Sequence, residues 1–156
     1  MLEVEVPGKG KLRFKYLVSD FTGTLSVDGI LVEGVKEKLN ELANYLEVHI
    51  LTADTFGKAK EALKGVKAKV VVLSPGEEAE KKLKYIEGLG ASQVVAFGNG
   101  ANDELMIKAA GLGVVVLLEE GCAVKTLLNA DIVVKSPLDA IELLLNSKRL
   151  KAVLRK

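Results

Sequence analysis

Three short polar segments of this 156-residue sequence carry oxygen-bearing side chains that could bind a cation and a phosphate group. They are 19–25 (Ser-Asp-Phe-Thr-Gly-Thr-Leu), 52–55 (Thr-Ala-Asp-Thr) and 98–103 (Gly-Asn-Gly-Ala-Asn-Asp). The first segment is typical of a tight loop that exposes backbone N–H groups, and such loops bind anions. A carboxylate such as Asp20 beside an anion-binding loop indicates that a divalent cation bridges the two charges.

The same residues also have a purely structural interpretation. Asp is a favoured turn and capping residue, so Asp20 alone does not establish a site. Asn102 or Asp103 would equally serve as the cap of a helix over 104–110. Asn99, Asn102 and Asp103 together offer the oxygen ligands that Mg²⁺ prefers. Taken alone, the Gly-Asn-Gly segment is a weak signal.

Six short runs rich in β-branched residues alternate with helical patterns along the chain. The runs are apolar throughout, which indicates strands buried on both faces, as in a parallel sheet covered by helices. This alternation predicts an α/β fold, a doubly wound (Rossmann-like), mostly parallel sheet of about six strands with helices on both faces. The runs are 16–18, 48–51, 70–73, 94–97, 114–117 and 132–134.

The order of the runs brings the polar segments together. Ligands of open α/β sheets bind at the carboxyl ends of the strands. The three polar segments follow the first, second and fourth runs, so we expect them to form one site at one edge of the sheet.

Local signals predict where several other elements begin. Ser74-Pro75 and Ser136-Pro137 each predict a helix start, and Asp54-Thr55 predicts a helix cap. Apolar residues repeat at helical spacing over 35–46, 79–89 and 124–128. A Gly-rich turn over 7–10 predicts an N-terminal β-hairpin that leads into the sheet or lies at its edge.

Composition narrows the class of protein. The length predicts a single domain over 1–156, and 49% hydrophobic with 28% charged residues excludes a disordered chain. A net charge of +1 without a basic tail argues against a nucleic-acid partner. The longest apolar run, 109–118, is too short to cross a membrane, and the acidic N-terminus is unlike a signal peptide. We therefore expect a cytoplasmic protein without a membrane partner.

The motifs, in this order and spacing, resemble those of the haloacid dehalogenase (HAD) superfamily of phosphohydrolases. The chain is most similar to the small soluble archaeal phosphatases related to the phosphorylation domain of P-type ATPases. The first motif of the family, Asp-x-Asp/Thr-Gly-Thr, matches 20–24, and the fourth, Gly-Asp-Gly-x-Asn-Asp, matches 98–103. The second motif, a Ser or Thr that closes the second strand, matches Thr52. The third motif is a lysine, for which Lys82 fits best.

This resemblance implies a Mg²⁺-dependent phosphohydrolase that acts on phosphate monoesters. Asp20 would be the nucleophile and form an aspartyl phosphate. The Thr52 hydroxyl and Lys82 would hold the transferring phosphoryl oxygens, helped by backbone N–H groups near Phe21 and Ala53. Lys81 and Lys84 compete with Lys82 for the lysine role. The implied metal ligands, direct or through water, are the Asp20 carboxylate, the Thr22 main-chain carbonyl, Asn99 and Asp103.

Two residues depart from the family pattern. Many of these phosphatases have a second Asp where Thr22 stands, and that Asp acts as general acid and base. Threonine cannot replace it, so we expect slow hydrolysis of the phosphoenzyme. Asn99 stands where the pattern has Asp, so its amide oxygen brings no charge and we expect weaker Mg²⁺ binding. These departures keep open a degenerate, non-catalytic protein that binds phosphate or metal in a regulatory or structural role.

A receiver domain of a signalling system is the other alternative, because it has a similar fold and an acceptor Asp. Receivers carry that Asp after their third strand, whereas Asp20 follows the first, so this alternative is disfavoured.

The segments that separate the motifs bear on the substrate. The segments 20–52 and 52–82 are each long enough for one helix and a small flap, such as a hairpin over 26–32, but not for a cap domain. An uncapped site is open to a phosphorylated small molecule or macromolecule, or is closed by a neighbouring subunit of a homo-oligomer.

Overall fold

The computed structural model describes residues 1–54 and 57–156. Its strands are β1 (Leu2–Val6), β2 (Gly10–Phe14), β3 (Tyr16–Asp20), β4 (Ser26–Val27), β5 (Ile30–Leu31), β6 (Glu47–Thr52), β7 (Lys69–Val72), β8 (Val94–Gly98), β9 (Leu112–Val116) and β10 (Ile132–Val134). Its helices are α1 (Val35–Leu42), α2 (Lys58–Ala62), α3 (Glu78–Leu89), α4 (Glu104–Ala109), α5 (Val124–Leu128), α6 (Pro137–Leu145) and α7 (Ser147–Leu154). Single 3-10 turns lie at Ala91–Gln93 and Ala101–Asp103.

The central sheet has six parallel strands in the order β10-β9-β8-β3-β6-β7. The predicted doubly wound α/β fold is therefore confirmed, and each of the six apolar runs lies in one strand or overlaps it. Leu17 and Val18, neighbours on β3, belong to two different hydrophobic clusters on opposite faces of the sheet. Because both faces are buried, the strands have no polar alternation.

Helices cover both faces. One cluster contains residues of α1, α2, α6 and α7, and the other contains Ile86 of α3 and Met106 and Ile107 of α4. No helix among residues 1–54 and 57–156 is long and apolar enough to cross a membrane.

The N-terminal hairpin of β1 and β2 is confirmed, but it forms a two-stranded sheet of its own. Of the two predicted placements, leading into the central sheet or lying at its edge, the first is confirmed, because β2 leads directly into β3. Both positions beside β3 are occupied, by β6 and β8, and the edges of the sheet are β10 and β7. The hairpin packs on the main core, in which it buries Val4, Val6 and Phe14.

The helix start predicted at Ser74 is also wrong. Helix α3 begins at Glu78, because Gly76 and Glu77 both have left-handed backbone conformations that no helix continues through (φ 86° and 50°). Ser74 instead contacts the ammonium group of Lys81, at 2.8 Å from its hydroxyl. The start at Ser136 is confirmed: its hydroxyl accepts a hydrogen bond from the backbone N–H of Asp139 (3.1 Å).

Between the first and second motifs the chain forms only a small flap, β4 and β5, followed by α1. The two flap strands pair antiparallel, and Asp28 and Gly29 at the turn both have positive φ (52° and 82°). This is the two-residue hairpin turn that Asp-Gly favours. No cap domain lies between the motifs in the part of the chain that the structure describes.

Candidate active site

The polar segments meet at the point where the strand order reverses. From β3 the chain proceeds to β6 and β7 on one side of the sheet, and then to β8, β9 and β10 on the other. In α/β sheets the crevice at such a reversal, at the carboxyl ends of the strands, is where ligands bind. A cleft of about 540 Å³ lies there, lined by Asp20, Thr22, Thr52, Ala53, Asp54, Asn99, Gly100, Ala101, Asn102 and Glu120.

Asp20 is the last residue of β3 and is largely buried at the floor of the cleft. Its Oδ1 accepts a hydrogen bond from Lys82 Nζ (3.0 Å), and its Oδ2 accepts one from the Thr24 hydroxyl (3.1 Å). Burial, together with the charge of Asp103, raises the pKa of Asp20 to about 7, although Lys82 opposes that rise. The carboxylate of Asp20 is thus held between one ammonium group and one hydroxyl in a buried position.

Lys82, rather than Lys81 or Lys84, enters the site. Its side chain is 2% exposed, and its ammonium group donates to Asp20 Oδ1 (3.0 Å), Asp103 Oδ1 (2.7 Å) and Asn102 Oδ1 (3.1 Å). Desolvation lowers the pKa of Lys82, but the two carboxylates outweigh it and hold that pKa above its ordinary value. Lys81 binds the Ser74 and Pro75 carbonyls on the outside of the fold, and Lys84 is exposed.

Asp103 lies behind the cleft and not on its surface. Its Oδ1 accepts from Lys82, and its Oδ2 accepts from the backbone N–H groups of Asn99 (3.0 Å) and Gly100 (3.1 Å). The residue has no solvent exposure, so both oxygens are used by the protein itself. This placement suits a residue that positions Lys82 and the 98–103 loop.

Asn99 connects two loops across the cleft. Its Nδ2 donates to the Gly121 carbonyl (3.2 Å), and its Oδ1 accepts from the Thr24 hydroxyl (3.1 Å). The Gly121 carbonyl can only accept, so it fixes which end of the Asn99 amide faces Asp20.

A divalent cation fits the oxygen atoms that converge here. The Thr24 hydroxyl lies 3.1 Å from both Asp20 Oδ2 and Asn99 Oδ1, and its single proton can serve only one of them at a time. Among the residues that the structure describes, no group of three or more His, Cys, Asp or Glu side chains could hold a metal. The oxygen atoms that meet at this point are an Asp20 carboxylate oxygen, the Asn99 amide oxygen and the Thr24 hydroxyl, all of them hard donors of the kind that divalent cations prefer.

Of the residues predicted to bind phosphate, Lys82 lies in α3 and the others lie at the carboxyl ends of β3 and β6. Thr52 ends β6, and its hydroxyl oxygen accepts from the backbone N–H of Asp54 (3.0 Å), which leaves the hydroxyl proton available to the cleft. Ala53 and Thr22 line the cleft. Phe21 buries its ring in the core, so only its backbone can serve a ligand.

The cap interpretation of the segment after β6 holds in part. Asp54 lines the cleft and its Oδ2 accepts from the N–H of Ala59 (2.9 Å), in the first turn of α2. Thr55, the other residue of that prediction, lies outside the described residues.

Glu120 lines the cleft and was not among the predicted site residues. It lies on the loop 117–123 that follows β9. The rule that placed the other three segments, that ligands bind at the carboxyl ends of strands, applies equally to the Glu119-Glu120 pair after the fifth apolar run. Sequence reasoning could therefore have found it.

Comparison with known sequences gives two relatives and no matching family model. The uncharacterized protein MJ0073 of Methanocaldococcus jannaschii is 49% identical over 84 residues, which is 51% of this chain and 90% of that protein. The uncharacterized protein MJ0072 of the same organism is 46% identical over 39 residues, which is 25% of this chain and 89% of that protein.

Comparison of folds gives solved phosphatases. A 3-deoxy-D-manno-octulosonate 8-phosphate phosphatase from Moraxella catarrhalis, in complex with magnesium, phosphate and KDO, has a TM-score of 0.71 at 16% identity and covers 89% of this chain and 90% of its own. The cobalt-bound enzyme of that name from Haemophilus influenzae has a TM-score of 0.72 at 13% identity, with coverage of 92% and 94%. A Streptomyces avermitilis protein that carries the name HAD family hydrolase has a TM-score of 0.66 at 20% identity, with coverage of 90% and 87%.

These likenesses confirm, at the level of the fold, the resemblance that the motifs indicate. The chain belongs to the family of the M. jannaschii protein MJ0073, and its fold is that of the haloacid dehalogenase phosphatases.

Proposed function

We propose that this protein is a Mg²⁺-dependent phosphohydrolase that acts on phosphate monoesters through an aspartyl phosphate. The observation that carries the proposal is the position of Asp20. Its carboxylate lies at the strand-order reversal, held by Lys82, at the floor of an open cleft that also presents the Thr52 hydroxyl. A buried carboxylate with a raised pKa in a cleft is typical of a functional group and not of a turn residue.

The chemistry assigned to these residues is nucleophilic displacement at phosphorus. An Asp20 oxygen forms a bond to phosphorus while the bond from phosphorus to the ester oxygen breaks and the alcohol leaves with a proton from water. Water then attacks the aspartyl phosphate and releases inorganic phosphate and the free carboxylate. Lys82 and the Thr52 hydroxyl donate hydrogen bonds to the phosphoryl oxygens, where negative charge is concentrated in the transition state.

Residues of two loops would hold the cation: the Asp20 carboxylate, the Thr22 carbonyl and the Asn99 amide oxygen. Mg²⁺ bound there supplies positive charge that offsets the repulsion between carboxylate and phosphate. Asp103, whose oxygens are already used by Lys82 and by backbone N–H groups, acts on the site by holding Lys82 and the 98–103 loop in place.

Removal of divalent cations is expected to abolish turnover. With para-nitrophenyl phosphate as substrate, EDTA should stop the release of nitrophenol and excess Mg²⁺ should restore it. EDTA saturated with Mg²⁺ beforehand is the control for effects of the chelator itself. Hydrolysis that continues unchanged in EDTA would contradict the metal requirement. Bound Mg²⁺ without turnover of any phosphate monoester would support the alternative, a non-catalytic protein that binds metal or phosphate.

Thr22→Asp is expected to speed the breakdown of the phosphoenzyme. Thr22 lines the cleft two residues after Asp20, so a carboxylate there can accept a proton from the attacking water. General base catalysis is worth roughly 10²–10⁴-fold, which sets the upper limit of the gain. Rapid-quench trapping of the aspartyl phosphate measures its lifetime in the wild type and the variant.

Thr22→Asn is the matched control, because it has the size of Asp but does not ionise. An Asp variant whose phosphoenzyme lives as long as that of the wild type would show that a missing base at position 22 does not limit turnover. A wild-type phosphoenzyme that never accumulates would lead to the same conclusion.

A further inference from the structure

The loop 117–123 is tied to the site by backbone and side-chain hydrogen bonds. The Gly121 carbonyl accepts from Asn99 Nδ2 (3.2 Å), and the backbone N–H of Ala123 donates to the Asn99 carbonyl (2.8 Å). Within the loop, the N–H of Gly121 donates to the Leu118 carbonyl (2.9 Å), with Gly121 in a left-handed conformation (φ 74°). Glu120 therefore sits in a turn whose position relative to Asn99 is fixed.

The Glu120 carboxylate lies over the Gly23 backbone, beside Asn99. A Cβ on Gly23 would lie 2.7 Å from Asn99 Nδ2, 3.0 Å from Glu120 Oε2 and 3.1 Å from Asn99 Oδ1. The two oxygens, Glu120 Oε2 and Asn99 Oδ1, are therefore separated by no more than the sum of the last two distances. The side chains of Glu120 and Asn99 fill the space that any other residue at position 23 would need. Among the described residues, Glu120 makes no hydrogen bond or ion pair and lines the open cleft.

Apart from Glu120, the side chains around Asn99 offer little negative charge to a cation. Lys82 neutralises one of the two buried carboxylates, Asp20 and Asp103. Asn99 adds an oxygen but no charge. Its Nδ2 donates to the Gly121 carbonyl, whereas an Asp at position 99 would place a second oxygen against that carbonyl. A carboxylate on the neighbouring loop can supply negative charge without that conflict.

We propose that Glu120 contributes its carboxylate to the divalent-cation site formed by Asp20 and Asn99, and so replaces the charge that Asn99 lacks. The proposal rests on the proposed function, since it concerns the cation of that same site. It assigns a role in metal binding to the loop after β9, a part of the chain that lies outside the four motifs.

The test is the affinity of the intact protein for Mg²⁺, measured by calorimetric titration without substrate. Glu120→Gln is expected to raise the dissociation constant about three- to tenfold, because it removes a negative charge that attracts the cation across a solvent-filled cleft. Glu120→Lys is expected to raise the dissociation constant further, because it puts a positive charge in the same place. Glu119→Gln and Glu119→Lys are matched controls: Glu119 is the exposed neighbour on the same loop, does not line the cleft, and carries the same charge.

Equal Mg²⁺ affinities for the Glu120 and Glu119 variants would overturn the proposal, because the effect would then reflect net charge and not position. A Glu120→Gln variant that keeps wild-type Mg²⁺ affinity but loses turnover would overturn it too. Wild-type protein that binds no Mg²⁺ would overturn it as well. Hydrolysis of para-nitrophenyl phosphate by the wild type, measured in parallel, reports on the proposed function separately: Mg²⁺ binding that depends on Glu120 in a protein without turnover would contradict only the function.

Discussion

Asp20→Asn is expected to lower the rate of phosphate monoester hydrolysis by at least about a thousandfold while the fold stays intact. The amide has nearly the shape of the carboxylate and can still accept a hydrogen bond from Lys82, but it cannot form the aspartyl phosphate. Turnover of para-nitrophenyl phosphate, and acid-quenched protein assayed for covalent phosphate, measure the loss. Mass spectrometry of the variant excludes residual activity from deamidated protein.

The same variant has an expected effect on stability. The pKa of Asp20 is raised to about 7 in the folded protein, so ionisation of this carboxyl is less favourable in the folded protein than in the unfolded chain. The contribution of Asp20 to the free energy of unfolding therefore falls as the pH rises through that value. In the absence of metal at pH 8, the Asn variant should therefore be at least as stable as the wild type. Asp28→Asn, at the exposed flap turn, is the matched control.

Turnover that survives in Asp20→Asn would show that Asp20 is not the nucleophile.

Much of the fold could be predicted because its signals are local and repeated. The apolar runs show no regular alternation of apolar and polar residues, which indicates strands buried on both faces. That one observation is enough to predict the six parallel strands. The start of α3 could not be predicted in this way. Ser74-Pro75 has the chemistry of a helix cap, but Gly76 and Glu77 both adopt left-handed conformations, and the sequence contains no sign that a non-glycine residue at position 77 would do so.

The candidate site shows a similar division. Asp20 and Thr52 could be placed because they end strands, and strand ends share one edge of a parallel sheet. Lys82 was one of three nearby lysines, and only the packing of α3 against the sheet separates it from Lys81 and Lys84. That Asp103 uses both oxygens within the protein depends on contacts between distant segments, which spacing along the chain does not reveal.

Lys82→Met is expected to abolish activity and also to destabilise the protein. Lys82 is buried between Asp20 and Asp103 at 3.0 and 2.7 Å, and methionine keeps most of its volume without its charge. Removing one partner of a buried ion pair leaves the other charge uncompensated, at a cost of about 3–5 kcal/mol. Chemical denaturation without metal measures this loss as a lower free energy of unfolding, and turnover of para-nitrophenyl phosphate measures the loss of activity.

The pH dependence of that instability distinguishes lost charge from lost packing. Lys82 opposes the rise in the pKa of Asp20, so without Lys82 that pKa lies higher still and the folded variant binds more protons than the unfolded chain. Its stability should then fall as the pH rises, and the difference from the wild type should narrow between pH 8 and pH 5, where Asp20 is protonated in both proteins. Lys84→Met, an exposed position on the same helix, should change neither stability nor turnover. A stability difference that is the same at pH 5 and pH 8 would mean that Lys82 matters for packing alone, and its place between the two carboxylates would not explain the loss.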